Sequence, residues 1–514
     1  MVRHPKHPQN AGLAFRAKSP KAVARKGTRM ATRPGAKDLT TGPIGKTLLV
    51  FALPTLATNI LQSLNGSINA IWVGRFLGES ALAATSNANN IMFLMFAAVF
   101  GFGMAATILV GQSFGRRDID AARRAFGSAV GLVFGSAIVV ASLGWIFAPQ
   151  ILGLLATPGD AFPLALTYLR ISFLTLPASM MLVLITMGLR GTGDSLTPLW
   201  FGLLASALDA ALNPLFILGV GPIPRMGIAG SATASLLANV AALGALIAYV
   251  YRRDLTLRLR GEELGYLFPT RDVVWKIVSK GVPIGAQMIV IAVAGLTMMG
   301  LVNREGVDTS AAFGVTLQLW AYVQMPAMAI GAAVSAMAAQ NIGAGKWDRV
   351  EQITRAGLLI NLCITGAMVV LLLIFDRAVM ALFLGGVSPA WPIARHIQLI
   401  ATWGFILFGM TMVFFGVVRA NGAVLGPLLI LLIAMFPLRL GFALVARPML
   451  GVDALWWSFP VGSLATVVLA GLFYRYGRWR ELSMQMPDGH PHTGSTLASG
   501  HNKADPAGAL HPAG

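Results

Sequence analysis

The chain has 514 residues, of which 56% are hydrophobic and only 11% charged, with a mean hydropathy of +0.71. That balance excludes an ordinary soluble globular protein and indicates a polytopic membrane protein. The net charge of +19 does not point to nucleic acid, since the positive residues gather in the tails and alternate loops, and Cys363, the only cysteine, excludes disulfides and a cysteine metal site.

Residues 1–46 hold eleven Lys and Arg against one acid, Asp38, and lack an apolar core of signal-peptide length. They read as a disordered basic cytoplasmic tail. Apolar runs long enough to cross a bilayer as helices then recur at 47–72, 83–110, 124–147, 163–189, 196–219, 227–251, 274–302, 311–338, 354–376, 391–418, 424–447 and 453–476. The fold class is therefore an all-α membrane protein of twelve transmembrane helices. With the amino terminus inside, about 31 Lys and Arg fall inside and 6 outside, as the positive-inside rule expects. Both termini are expected in the cytoplasm, with 479–514 a disordered tail.

The longest polar interruption, 253–273, divides the chain at its midpoint. At an offset of 229, Pro54 matches Pro283, Arg75 matches Arg304, Arg190 matches Arg419, Gly193 matches Gly422 and Pro198 matches Pro427. At 228, Gln112 and Gly115 match Gln340 and Gly343. These landmarks indicate a duplicated six-helix unit, with one lobe at 47–252 and the other at 274–478. Six is even, so the copies run parallel about an axis along the membrane normal, an architecture suited to alternating access.

Within the helices one acid stands out. Asp209 lies near the middle of the fifth apolar run, and Asn213, four residues on, shares its helix face. A carboxylate at mid-membrane depth is costly unless it lines a polar cavity or has partners, which makes it a candidate proton or cation site; service as a packing group alone is the duller reading. Gln62, Asn65 and Asn69 form a polar face on the first helix, and Ser235 and Asn239 form another on the sixth. Oxygen-bearing groups around one carboxylate suit either a titrating acid or a hard cation such as sodium. Arg439, deep in the eleventh helix, could line the substrate cavity or bind carbonyls at the lobe interface. Gly127, Gly131 and Gly135 form a small-residue stripe expected to mark close helix packing.

Energy coupling by nucleotide is not encoded. Gly45-Lys46-Thr47 ends like a phosphate-binding loop, but Thr40 stands where its first glycine belongs, and Gly343-Ala344-Gly345-Lys346 continues into Trp347. The helices also lack the paired acids, histidines or nucleophile–base set of a membrane-embedded enzyme. No cofactor is expected, and no metal, apart from a sodium ion at Asp209 if sodium is the coupling ion.

The opening FALPTLATNILQSLNGSINAIWVGR, the GQSFG before a basic loop, LRGTGDSLTPLW, and LNPLFILG followed by MGIAGSATAS together resemble the multidrug and toxic compound extrusion family, MATE, nearest to its prokaryotic DinF-like branch. The likeness covers about 44–478. It implies a multi-pass antiporter of the bacterial inner membrane. Such a protein exports amphipathic, often cationic compounds in exchange for protons or sodium through two lobes opening in a V. Small organic substrates and membrane lipid are the expected partners, without nucleic acid, and the expected state is a monomer. The branch usually has an aspartate where Asn69 stands and an Asn-x-x-x-Asp pair where this chain has Asp209 and Asn213 in reverse order; its sixth-helix hydroxyl corresponds to Ser235. The resemblance thus implies ion coupling at Asp209, Asn213, Asn69 and Ser235. Gln62, Asn65, Asn239 and Arg439 are the candidate cavity residues. A lipid-linked oligosaccharide or lipid flippase of the same superfamily is the alternative.

Overall fold

A long apolar run can satisfy its backbone in lipid only by coiling on itself, so helix is the one outcome open to most of this chain. The computed structural model describes residues 36–154, 161–219, 224–384 and 389–482, and among them the chain is helical with no strand. The first lobe comprises α1 (Ile44–Leu77), α2 (Glu79–Gly115), α3 (Ile119–Leu154), α4 (Phe162–Gly191), α5 (Leu196–Leu218) and α6 (Ile228–Arg252). The second comprises α7 (Arg271–Val302), α8 (Val307–Gly343), α9 (Trp347–Ile374), α10 (Asp376–Leu384), α11 (Ala390–Ala401), α12 (Gly404–Ala420), α13 (Leu425–Ile433), α14 (Gly441–Val445), α15 (Arg447–Leu450) and α16 (Asp453–Tyr476). Among the described residues 11 helices are long and apolar enough to span a membrane, and the bent pair α11–α12 makes 12.

Two expected single helices are interrupted. The tenth span breaks after α11 and turns by 46° into α12. Thr402, at the break, is buried and accepts a 2.9 Å hydrogen bond from the Trp320 indole of α8, so a tertiary contact holds the bend. The eleventh span passes from α13 through a π-helical stretch, Ala434–Leu440, into α14. Pro437 lies within that stretch; it has no N–H to donate, and a local change of hydrogen-bond register accommodates the loss.

The duplication is visible in the backbone. After α4, Thr192 N and Asp194 N donate to Leu189 O and Gly193 N donates to Arg190 O; after α12, Asn421 N and Ala423 N donate to Val418 O and Gly422 N donates to Arg419 O. Gly193 and Gly422 close these paired turns at φ +87 and +82, where a side chain would be strained. The turns after α2 and α8 also correspond, with φ 63 at Arg117 and +71 at Gly345.

The lobes meet where α2 packs on α7 and α8 and α1 packs on α8. Gly101 and Gly281 bring α2 and α7 together so closely that a Cβ on Gly101 would lie 2.1 Å from Gly281 O. Nearer the face that carries both described termini, two glutamines lock the lobes reciprocally. Gln112 Nε2 of α2 donates to Ala420 O at 2.6 Å, and its repeat partner Gln340 of α8 donates through Nε2 to Gly191 O at 3.0 Å.

Across this closed face lies a strap formed by residues 37–42. Lys37 N donates to Thr192 O in the first lobe, and Leu39 N to Gln340 Oε1 in the second. Asn341 Nδ2 donates to Leu39 O, the Lys346 ammonium to Thr40 O, and Arg349 to the carbonyls of Thr41 and Gly42. The described end of the expected disordered amino-terminal tail is thus fixed by side chains of the other lobe, and α1 begins at Ile44 rather than 47. At the carboxyl end, Trp479 is buried and stacks on Tyr474, so its first residues are held as well. Residues 1–35 and 483–514 lie outside the described residues.

The glycine stripe of α3 packs on the linker's short 3-10 helix, Gly261–Leu267, and not on another membrane-spanning helix. A Cβ on Gly131 would lie 1.8 Å from Leu267 O, and one on Gly127 would lie 2.8 Å from the Tyr266 Cβ, while Gly135 has nothing nearby. Arg123 Nε donates to Thr256 O and the side chain pairs with Glu263, pinning the same linker to α3.

Candidate functional site

Asp209 is buried on α5 at 4% exposure, and three hydrogen-bond donors meet its carboxylate. Ser235 Oγ of α6 donates to Oδ1 at 2.7 Å, Asn213 Nδ2 to Oδ1 at 3.2 Å, and Asn65 Nδ2 of α1 to Oδ2 at 2.9 Å. Asn213 also donates to the carbonyl of residue 209 at 3.0 Å, one helical turn away. Three helices thus converge on one acid. Donors to both oxygens solvate the ionised form, offsetting part of the cost of a charge removed from water.

Asn65, expected to line the substrate cavity, is therefore a direct partner of the acid. Asn69, expected beside the acid, lies one turn further along α1, where its Oδ1 accepts from Ser231 Oγ at 2.8 Å. Ser231 is one turn before Ser235 on α6, so α1 and α6 share two rungs of polar contact of which one includes Asp209. Asn65 Oδ1 and Asn213 Oδ1 are buried without a hydrogen-bond partner in the described structure. They are spare acceptors within the site.

Asp209 opens onto a cavity of about 310 Å³ set almost wholly in the first lobe. Gln62, Asn65 and Asn239 line it as expected, Asn239 donating to Ser235 O at 2.8 Å. Phe96 and Phe100 supply aromatic wall, and Met288 of α7 and Met328 of α8 reach in from the second lobe. Apolar walls with a few convergent polar groups are the usual make-up of a small-molecule site, and methionines adapt to varied shapes. Arg439 does not line this cavity. Its guanidinium lies 3.8 Å from the centre of the Phe459 ring, in the π-helical stretch of the second lobe, and its side chain packs on Gly462 of α16.

Arg190 is a lining residue that sequence reasoning used only as a repeat landmark. The available signal was its place at the end of an apolar helix, which a loop-flanking arginine shares. Among the described residues no cluster of three or more His, Cys, Asp or Glu side chains is placed to hold a metal.

The MatE family model matches residues 54–215 and 283–445, once in each lobe. The chain is 31% identical over 435 residues to the probable multidrug resistance protein YoeA of Bacillus subtilis (strain 168), covering 84% of this chain and 94% of that one. It is 26% identical to the FAD transporter of Shewanella oneidensis, covering 83% and 93%. A solved structure described as the outward-facing conformation of a multidrug resistance MATE family transporter superposes with a TM-score of 0.79 at 19% identity, over 86% of this chain and 97% of that one. Duplicated model match, two-lobe helical fold and full-length relatives agree: the chain belongs to the MATE family of multidrug efflux transporters, membrane carriers and not enzymes.

Proposed function

We propose that this protein is a secondary antiporter that exports amphipathic organic compounds, cations included, in exchange for protons carried by Asp209. The carrying observation is the convergence of Ser235, Asn213 and Asn65 on that acid at the wall of the cavity. All three spend donors on the carboxylate, an arrangement suited to a group that alternates between ionised and protonated forms. The closed face is the cytoplasmic one. It carries Arg116, Arg117, Arg252, Arg253, Lys346 and Arg349, the clustering that the positive-inside rule associates with the cytoplasm. With that face sealed by the glutamine pair and the strap, the cavity's exit lies on the outer side. Proton binding to Asp209 would remove its charge and release a bound substrate outward.

The test is dye efflux from proteoliposomes under a pH gradient or a sodium gradient, imposed separately, for the parent and Asp209→Asn. Proton-driven efflux that falls to background in a folded Asp209→Asn protein is expected. Efflux driven by sodium alone would replace the proton with sodium, and undiminished efflux by the variant would remove Asp209 from the coupling step.

A further inference from the structure

Arg190 lies in the last turn of α4 at the closed-face end of the cavity. An arginine at that point of a helix can bond the unpaired terminal carbonyls. This one does not. Those carbonyls are taken by the following turn, with Gly193 N on Arg190 O and Thr192 N and Asp194 N on Leu189 O. Gln340 Nε2 occupies Gly191 O. The Arg190 side chain makes no hydrogen bond, ion pair or ring contact among the described residues, and its Nε is shut away from solvent without a partner.

The twin in the other lobe, Arg419, also has a buried Nε without a partner, but its guanidinium lies 5.4 Å from the centre of the Phe415 ring and it does not line the cavity. Asp209 does not pair with Arg190: its oxygens bond Ser235, Asn213 and Asn65, and no ion pair joins the two charges among the described residues. Asp209 is the eleventh residue after Pro198, another lining residue near that end, which places the acid roughly 16 Å along the α5 axis at ~1.5 Å per residue. The cavity therefore has a cationic floor and an acidic wall well above it, with Thr186 and Ser206 between as smaller polar groups.

We propose that Arg190 is an anion-docking subsite: substrates that carry a carboxylate or a comparable acidic group bind with that group on the guanidinium and their apolar body between Phe96, Phe100, Met288 and Met328. This rests on the exporter reading and narrows its substrate class to organic zwitterions and anions ahead of plain cations. A forked guanidinium with free N–H groups in a partly dry pocket is built for a planar acid, and its charge without a partner has a cost that such a ligand relieves.

The experiment is equilibrium binding, by fluorescence polarisation on the purified full chain, of a carboxylate rhodamine zwitterion and of its ethyl ester, which differs by loss of the acid. The parent should bind the acid more tightly, and Arg190→Gln should weaken the acid by about tenfold or more while leaving the ester within about twofold, the size expected for one charge-assisted hydrogen-bonded pair. Arg190→Lys should restore part of the difference. Thermal melts of each variant separate a binding loss from unfolding. Equal binding of both dyes by the parent, binding of neither, or equal weakening of both in a folded Arg190→Gln protein would overturn the subsite. The proton-exchange reading is tested separately by gradient-driven efflux of the ester: its failure leaves the dye preference standing, and the converse holds.

Discussion

Asp209 is the acid on which Ser235, Asn213 and Asn65 converge, and these partners differ in what they contribute. Ser235 gives the shortest bond, and without it Oδ1 keeps only the 3.2 Å contact from Asn213. Ser235→Ala is expected to slow gradient-driven efflux about tenfold, short of the full loss in Asp209→Asn, since a hydrogen bond to a charged group contributes about 1.5–3 kcal/mol. Asn69→Ala breaks the bond to Ser231 and leaves the Asp209 contacts whole, so initial efflux rates should fall less than in Ser235→Ala; an equal fall would return Asn69 to the coupling site. The acid and its i+4 asparagine were legible in the sequence because a mid-helix charge and one-turn spacing survive without tertiary information, and Ser235 was legible through the family resemblance. Whether Asn65 or Asn69 faces the acid depends on the axial offset of α1 against α5, which no local pattern encodes. The same holds for Arg190, whose meaning comes from carbonyls already taken by other donors.

At the scale of elements, span number and the duplication were legible because lipid permits few alternatives to a helix and because turn residues such as Gly193 and Gly422 are fixed by positive φ. The break at Thr402 was not, since its cause is a tryptophan some eighty residues away. The close packing of the α3 glycines was legible and its partner, the linker's short 3-10 helix, was not, since spacing announces a close approach and does not say to what. Gly131→Ala should destabilise the protein by about 1–3 kcal/mol, because the added Cβ meets the Leu267 carbonyl of the linker, whereas Gly135→Ala should be neutral or stabilising by up to about 1 kcal/mol, as alanine favours helix where nothing intrudes. Thermal denaturation of the two variants in one detergent checks the pair. A second element-scale prediction comes from the unequal turns of the repeat. Arg117 holds φ 63 where Gly345 stands in the second copy, and Arg117→Gly should raise stability by about 1 kcal/mol, the left-handed strain released, read as a higher melting temperature.

Over the whole molecule, alternating access requires the seam between the lobes to part, and the bonds that hold it are identified. Gln340 is their junction, donating to Gly191 O of one lobe and accepting from Leu39 N of the strap. Each such bond is worth about 0.5–1.5 kcal/mol net, so losing two shifts a conformational equilibrium several-fold. In a Cys363→Ser background with Thr186→Cys at the cavity wall, Gln340→Ala should raise the rate at which a thiol reagent added from the strap side labels the new cysteine; an unchanged rate would mean the seam is held elsewhere. The strap has a practical counterpart. Leu39, at 2% exposure, packs between Gly193 of the first lobe and the helix of the second that carries Gln340 and Asn341, and is expected to gain water when the lobes part. A polarity-sensitive fluorophore at that position would dim at each parting and recover at each return, so one label would clock the turnover of a single immobilised molecule and display its dwell times directly.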